Sequence, residues 1–412
     1  MSTAADRFAT EGFGVENLPY GSFSVAGGER RLGVRLGDRV LDVAALAAAL
    51  EADGPSLDAT ARAAASGPDL DLLLAAGHTA WRPLRSWLQQ VVTTEGLDSA
   101  VEQASTPLSE VRLHMPFTPA DYVDYYASEH HASNIGRMFR PDQAPLLPNW
   151  KNLPVGYHGR AGTVIGSGTD IRRPKGLRPE KSGSPSFGPS RRLDIEAEIG
   201  FVVGGSAEAG EVSVSRAAAE HLFGVVVFND WSARDIQAYE YVPLGPYLGK
   251  SFASSISLWV VPFEALAAAR VAPPVREHAL ADYLDDSVDG PWGLDITLEV
   301  EIDGETVSRP PFRTMYWTAP QMVAHMTVNG ASLRPGDFFG SGTVSGPEAD
   351  QRGSFMELSW GGQEPLVLAD GREQSFLEDG QTVVLRATAP GPDGSVIAFG
   401  DCAGTILPAT EG

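Results

Sequence analysis

The side chains able to do chemistry gather in three short stretches. Residues 121–140 hold Asp124, Tyr126, the adjacent His130 and His131, and Arg140. Read as one helix over 122–138, Asp124 and His131 fall seven apart on one stripe. His130 is then turned about 100° away, so the two histidines cannot share a role. Such a density of titratable groups suits acid–base work, although a satisfied structural histidine is the commoner use of the residue. In the second stretch, residues 192–199 alternate strictly. On a strand Asp194, Glu196 and Glu198 share a face, and carboxylates two apart could chelate a hard cation such as Ca²⁺ or Mg²⁺. A half-solvated strand explains the alternation equally well, and Glu299 and Glu301 repeat it beside the turn Asp303-Gly304. The third stretch, 229–241, follows the apolar run 223–228. Asp230 there is either a helix cap or a ligand at the mouth of a site. Arg234, Gln237 and Tyr241 share one helical face, and Lys250 follows in a Pro/Gly-rich loop that could bring a cation to the same cavity.

Familiar signatures are missing elsewhere. There is no G-x-S-x-G and no H-E-x-x-H. Residues 245–251 resemble a phosphate loop but are one residue short, and Pro246 removes a donor that such a cradle uses. Cys402, the single cysteine, excludes an internal disulfide and any cysteine-based zinc site, and reads as a small buried residue.

The positioning elements follow from patterning. With 412 residues, 43% hydrophobic and 20% charged, the chain is sized for two or three domains around a large core. Its 45 glycines and 30 prolines predict many turns and strands and few long helices. A net charge of −22 disfavours nucleic acid and anionic membrane surfaces as partners. Residues 1–14 lack the apolar core of a leader, and no apolar run approaches a bilayer span, so a cytoplasmic protein is expected. Residues 15–45 read as short strands, 42–105 as helical, and 106–119 as a proline-rich connector. We place a domain boundary near residue 118. Beyond it, 192–203, 225–228, 294–302, 366–368 and 381–387 read as strands, with helices near 231–240 and 319–327. The expected class is mainly β (α+β).

Residues 121–140, 147–150 with 153–160, 230–251, and 341–343 through 357–360 closely resemble blocks of the fumarylacetoacetate hydrolase family, and the likeness runs from Asn17 to Pro408. The resemblance implies an SH3-like N-terminal domain over 1–118, a mixed β-sandwich-roll catalytic domain over 119–412, and a homodimer. It also implies Ca²⁺ ligands at Asp124, Glu196, Glu198 and Asp230, and Mg²⁺ near Asp230, Lys250 and Ser254. His131 would be the general base, oriented by Glu357. Arg234, Gln237 and Lys250 would stabilise an enolate, and Tyr126, Arg140, Tyr157, Gln237, Tyr241 and Thr343 would hold the substrate. Ser254 stands where the family pattern has threonine, and the hydroxyl is kept.

The implied reaction is hydrolysis of a carbon–carbon bond in 4-fumarylacetoacetate, a diketo-dicarboxylate, giving fumarate and acetoacetate at the end of tyrosine and phenylalanine degradation. It needs a base for water and a positive setting for the departing enolate. A histidine, titrating near about 6.5 when unperturbed, suits the first task. A hard cation with Arg234 and Lys250 suits the second. Asp124, Glu196, Glu198, Asp230 and Glu357 carry −5, which Ca²⁺, Arg140, Arg234 and Lys250 would balance. The alternatives are a relative acting on acylpyruvates, or decarboxylating or isomerising an oxo-diacid, and a metal-stabilised binding module. A module without turnover has no use for a base and its orienting acid.

Overall fold

The computed structural model describes residues 2–208, 211–287, 290 and 292–411. It is a sheet-rich, mixed α/β architecture. Near the N-terminus an antiparallel sheet runs in the order Ser105–Pro107, Arg39–Asp42, Arg31–Leu36, Tyr20–Val25, Val111–His114. Gly33 is required at its centre, because a Cβ there would sit 2.6 Å from Val40 Cγ1 and 2.7 Å from Phe23 Cδ1. The alanine- and leucine-rich segment forms helices, the longest being His78–Thr93. It buries Trp81, Leu84, Trp87, Leu88 and Val91, the three- and four-residue spacing of one helical face.

Beyond residue 118 an eight-stranded sheet runs Gly156–His158, Asp121–Tyr125, Asp337–Gly340, Ala197–Val203, Leu222–Asn229, Ser254–Ile256, Val164–Gly166, with Val261–Pro262 also paired to Leu222–Asn229. Every residue of Ala197–Val203 and Leu222–Asn229 is buried, as expected of strands covered on both faces. The two-residue period divides Leu222–Asn229 between two cores. Val226 and Phe228 pack with Trp81 and Leu84 of the N-terminal side and with Tyr122 of their own sheet, whereas Val225 and Val227 pack with Leu298, Val300, Val383 and Leu385 of a six-stranded sheet. Thr297–Ile302 and Glu305–Ser308 of that second sheet form the expected hairpin. Asp303 at φ 50° and Gly304 at φ 87° turn it, matching the left-handed geometry Asp-Gly supplies.

Two expectations need correction. Residues 122–138 are not one helix: Asp121–Tyr125 is a strand parallel to Asp337–Gly340, and the helix starts at Glu129, capped by Ser128. Asp124 and His131 therefore share no helical stripe. Residues 192–203 are not one strand: Leu193–Asp194 pairs with Ser232–Ala233, Ala197–Val203 pairs with Leu222–Asn229, and Glu196 sits at the break. Asn229 Nδ2–Oδ1 amide chemistry explains the break in part, since its Oδ1 accepts the Glu196 N–H at 3.1 Å in place of a ladder bond. Among the described residues no helix is long and apolar enough to cross a membrane.

Candidate active site

The eight-stranded sheet sets four carboxylates against one another. Asp124 lies on Asp121–Tyr125, in register with Gly340; Glu198 lies on Ala197–Val203, in register with Phe228; Glu196 and Asp230 stand at the adjoining strand ends. All four are buried, and each offers an oxygen within 4.8 Å of the others, the one such metal-capable group among the described residues. Glu299 and Glu301, identically patterned, pair instead with Arg309 and Arg386 at the protein surface.

Hydrogen bonding divides the four. Asp230 is fully served: Oδ2 accepts from Lys250 Nζ at 2.7 Å and Tyr157 OH at 2.8 Å, and Oδ1 from Ser254 Oγ at 2.8 Å. Glu196 meets Arg234 Nη1 at 2.7 Å and is bonded to Lys250 Nζ. Glu198 accepts the Gly342 N–H at 2.8 Å through Oε2, but its Oε1 and Asp124 Oδ1 are buried without partners. Burial, then the neighbouring carboxylates, push Asp124 and Glu198 well above the usual carboxylate range. Burial also opposes the charge on Glu196, but Arg234 and Lys250 outweigh it and draw its pKa down to about 2. Two orphaned oxygens in a dry pocket, next to carboxylates that repel them, are the donor set a hard cation satisfies. The residues present therefore fit a bound divalent cation. Gly340 keeps the space open: a Cβ there would lie 2.7 Å from Asp124 Oδ1 and 2.8 Å from Glu198 Oε2.

Lys250 belongs to this set as a charge, not as a side-chain metal ligand. Burial disfavours its ammonium, but Asp230 and Glu196 outweigh that and hold it protonated. An ammonium has no lone pair to give, so any ligation of Mg²⁺ by Lys250 falls to its backbone carbonyl.

A buried histidine stands beside the acids. His131 Nδ1 meets Glu357 Oε2 at 2.7 Å, with both side chains almost entirely enclosed. The Glu357 carboxylate also accepts from Asn134 Nδ2 at 3.0 Å and from Ser345 and Ser354 Oγ, each at 2.9 Å. Burial works against this carboxylate, yet His131 and these donors win and hold Glu357 below its ordinary range. With Nδ1 engaged, Nε2 is the nitrogen left to accept a proton. His130 is half-buried and bonded to none of these groups, and burial lowers its pKa. Tyr126 places its ring edge-on to His131, with centroids 5.2 Å apart.

Arg234, Gln237 and Tyr241, from Arg234–Glu240 and its C-cap, meet Arg140 around a cavity of about 130 Å³. Arg234 Nη2, Arg140 Nε and Thr343 Oγ1 are buried polar atoms without partners, donors free for a bound anion or carbonyl. The structure thus gathers Asp124, Tyr126, His131, Tyr157, Glu196, Glu198, Asp230, Arg234, Gln237, Lys250, Ser254 and Glu357 around one buried centre, with Arg140, Tyr241 and Thr343 adjoining it. Sequence reading passed over Asn134, Ser345 and Ser354, although Ser354 precedes Glu357 by three, the spacing of a capping box.

Comparison with known proteins fits this centre to a family. The profile "Fumarylacetoacetate (FAA) hydrolase C-terminal" matches residues 122–406, and "Fumarylacetoacetase N-terminal" matches 16–116. The chain belongs to the fumarylacetoacetate hydrolase family. Within it, the chain is 44% identical over 410 residues to the fumarylacetoacetase of Bos taurus, and 43% to that of Homo sapiens, covering 96% of each chain in both cases. The Arabidopsis thaliana fumarylacetoacetase is 42% identical over the same span, again covering 96% of each chain. Among solved structures, a fumarylacetoacetate hydrolase from Exiguobacterium antarcticum superposes with TM-score 0.55 at 15% identity, covering 95% of this chain and 99% of that one. A 5-carboxymethyl-2-hydroxymuconate delta-isomerase from Mycobacterium smegmatis superposes with TM-score 0.50 at 16% identity, covering 95% and 100%. Those structural likenesses speak for the fold alone.

Proposed function

We propose that this chain hydrolyses 4-fumarylacetoacetate to fumarate and acetoacetate, the closing step of tyrosine and phenylalanine degradation. The observation that carries the reading is the likeness to fumarylacetoacetases along nearly the whole of both chains. The geometry supplies the parts the reaction needs. Water gives its proton to His131 Nε2, and its oxygen adds to the substrate carbonyl carbon. Glu357 fixes the tautomer and stabilises the imidazolium that forms. The adduct collapses, the carbon–carbon bond pair leaves with the acetoacetate fragment as an enolate, and a proton returned from His131 completes it. Arg234 Nη2, still without a partner, and the third N–H of Lys250 donate to the developing negative oxygen. Ca²⁺ held by Asp124, Glu196, Glu198 and Asp230 would polarise the diketone oxygens, with Mg²⁺ near Asp230, Ser254 and Lys250 serving structure. Tyr126, Arg140, Tyr157, Gln237, Tyr241 and Thr343 hold the substrate, Arg140 by a carboxylate.

We carry the finer assignments on the same footing: an SH3-like domain over 1–118, a β-sandwich-roll over 119–412, a homodimer, and a cytoplasmic location. Fumarylacetoacetate, an acylpyruvate and an oxo-diacid offered to one preparation test the choice of reaction. Preference by at least about 100-fold in kcat/KM for the first supports it. A higher value for either rival assigns the chain to another reaction of the family.

A further inference from the structure

Alternation places Asp194 with Glu196 and Glu198, and the fold gives it a different use. It is fully buried and stands outside the group able to share a cation. Its carboxylate instead accepts four N–H donors. Oδ1 takes those of Ile195 at 2.7 Å and Phe355 at 2.6 Å, while Oδ2 takes Met356 at 3.1 Å and Arg234 Nε at 2.7 Å. Phe355 and Met356 open the one-turn helix Phe355–Leu358, which carries Glu357 to His131. The guanidinium of Arg234 is thereby partitioned: Nε to Asp194, Nη1 to Glu196, and Nη2 buried and unpartnered beside the Arg140–Gln237–Tyr241 cavity. One carboxylate fixes both the cation offered to substrate and the segment bearing the acid that orients the base.

We propose that Asp194 is a positioning residue, setting Arg234 and the His131–Glu357 pair in a single geometry for the reaction. This rests on the hydrolytic reading above. Reacting groups must be held to well under 1 Å, and a displacement of about 1 Å costs roughly 100-fold in rate.

Asp194→Asn keeps the shape and leaves Oδ1 to Ile195 and Phe355, but turns a donor toward Arg234 Nε–H. In the full chain with Ca²⁺, kcat for fumarylacetoacetate should fall about 100-fold with KM within about threefold, while calorimetric Ca²⁺ affinity stays unchanged. In an Arg234→Lys background, where one ammonium cannot span Asp194 and Glu196, the same change should cost less than about tenfold, because the link is already cut. A kcat equal to wild type, or losses that multiply independently in the double variant, overturns the inference. Should Asp194→Asn fail to fold, Asp194→Glu carries the test, because it keeps the charge but moves it by one methylene: kcat lost with KM and Ca²⁺ affinity kept supports the link, and wild-type kcat overturns it. A wild-type protein inert toward fumarylacetoacetate overturns the hydrolytic reading itself, so the two failures are distinguishable.

Discussion

His131 and Glu357 are the pair on which the proposed chemistry turns. Replacing His131 by Ala should lower kcat by about 100-fold or more while Ca²⁺ binding persists, whereas His130→Ala should stay within about twofold. Steady-state kinetics on both variants decide it. Glu357 adds a stability signature. Its folded pKa is depressed below the ordinary 4.5, so its contribution is present above that value and is lost as pH falls through the folded pKa. Glu357→Gln should therefore cost about 1–3 kcal/mol at pH 7, and denaturant melts of the two proteins should begin to draw together as pH falls below 4.5 and meet once it has passed the folded pKa. A gap that persists into acid would show that the carboxylate's charge is not what is lost. At this scale the sequence was informative where spacing is local. Ser354 and Glu357 are three apart, but Ser345 and Asn134 reach the same carboxylate through the fold, with no short-range signature.

Elements decide which of two identical patterns becomes a site. Glu196 sits at a strand break and Glu198 on the covered strand Ala197–Val203, whereas Glu299 and Glu301 sit on Thr297–Ile302 facing Arg309 and Arg386. Glu196→Gln should weaken Ca²⁺ affinity and activity together, each by at least about tenfold, and Glu299→Gln should alter neither beyond about twofold. Calorimetric titration beside kinetics makes the comparison, and equal effects would remove the basis for telling the pairs apart. Hydropathy alternation revealed the acids but not their surroundings. The same limit explains the helix expected over 122–138: pairing with distant Asp337–Gly340 on one side and Gly156–His158 on the other makes Asp121–Tyr125 a strand. The helix Ala319–Thr327 was legible almost to the residue, and His78–Thr93, with its locally repeating apolar face, falls within the stretch read as helical. Asp194 is the instructive miss. Its alternation with Glu196 and Glu198 is local, yet the donors that claim it come from Arg234 and the Phe355–Leu358 helix.

Across the whole molecule, a divalent cation bound by the buried group of acids, within a chain of net charge −22, would add to stability as well as to the chemistry. The N-terminal helices and sheet share a core with the Val226–Phe228 side of the large sheet, so the two sequence regions brace the site together. The proposed homodimer should appear in sedimentation velocity at micromolar protein, and a stable, active monomer would rule it out. The most direct measurement is turnover of fumarylacetoacetate by the purified chain, followed by loss of the diketone absorbance with both products quantified. Fumarate and acetoacetate should form one for one, stop when the protein is stripped with a chelator, and resume on addition of Ca²⁺. A chain that binds Ca²⁺ yet leaves fumarylacetoacetate intact would contradict the assignment.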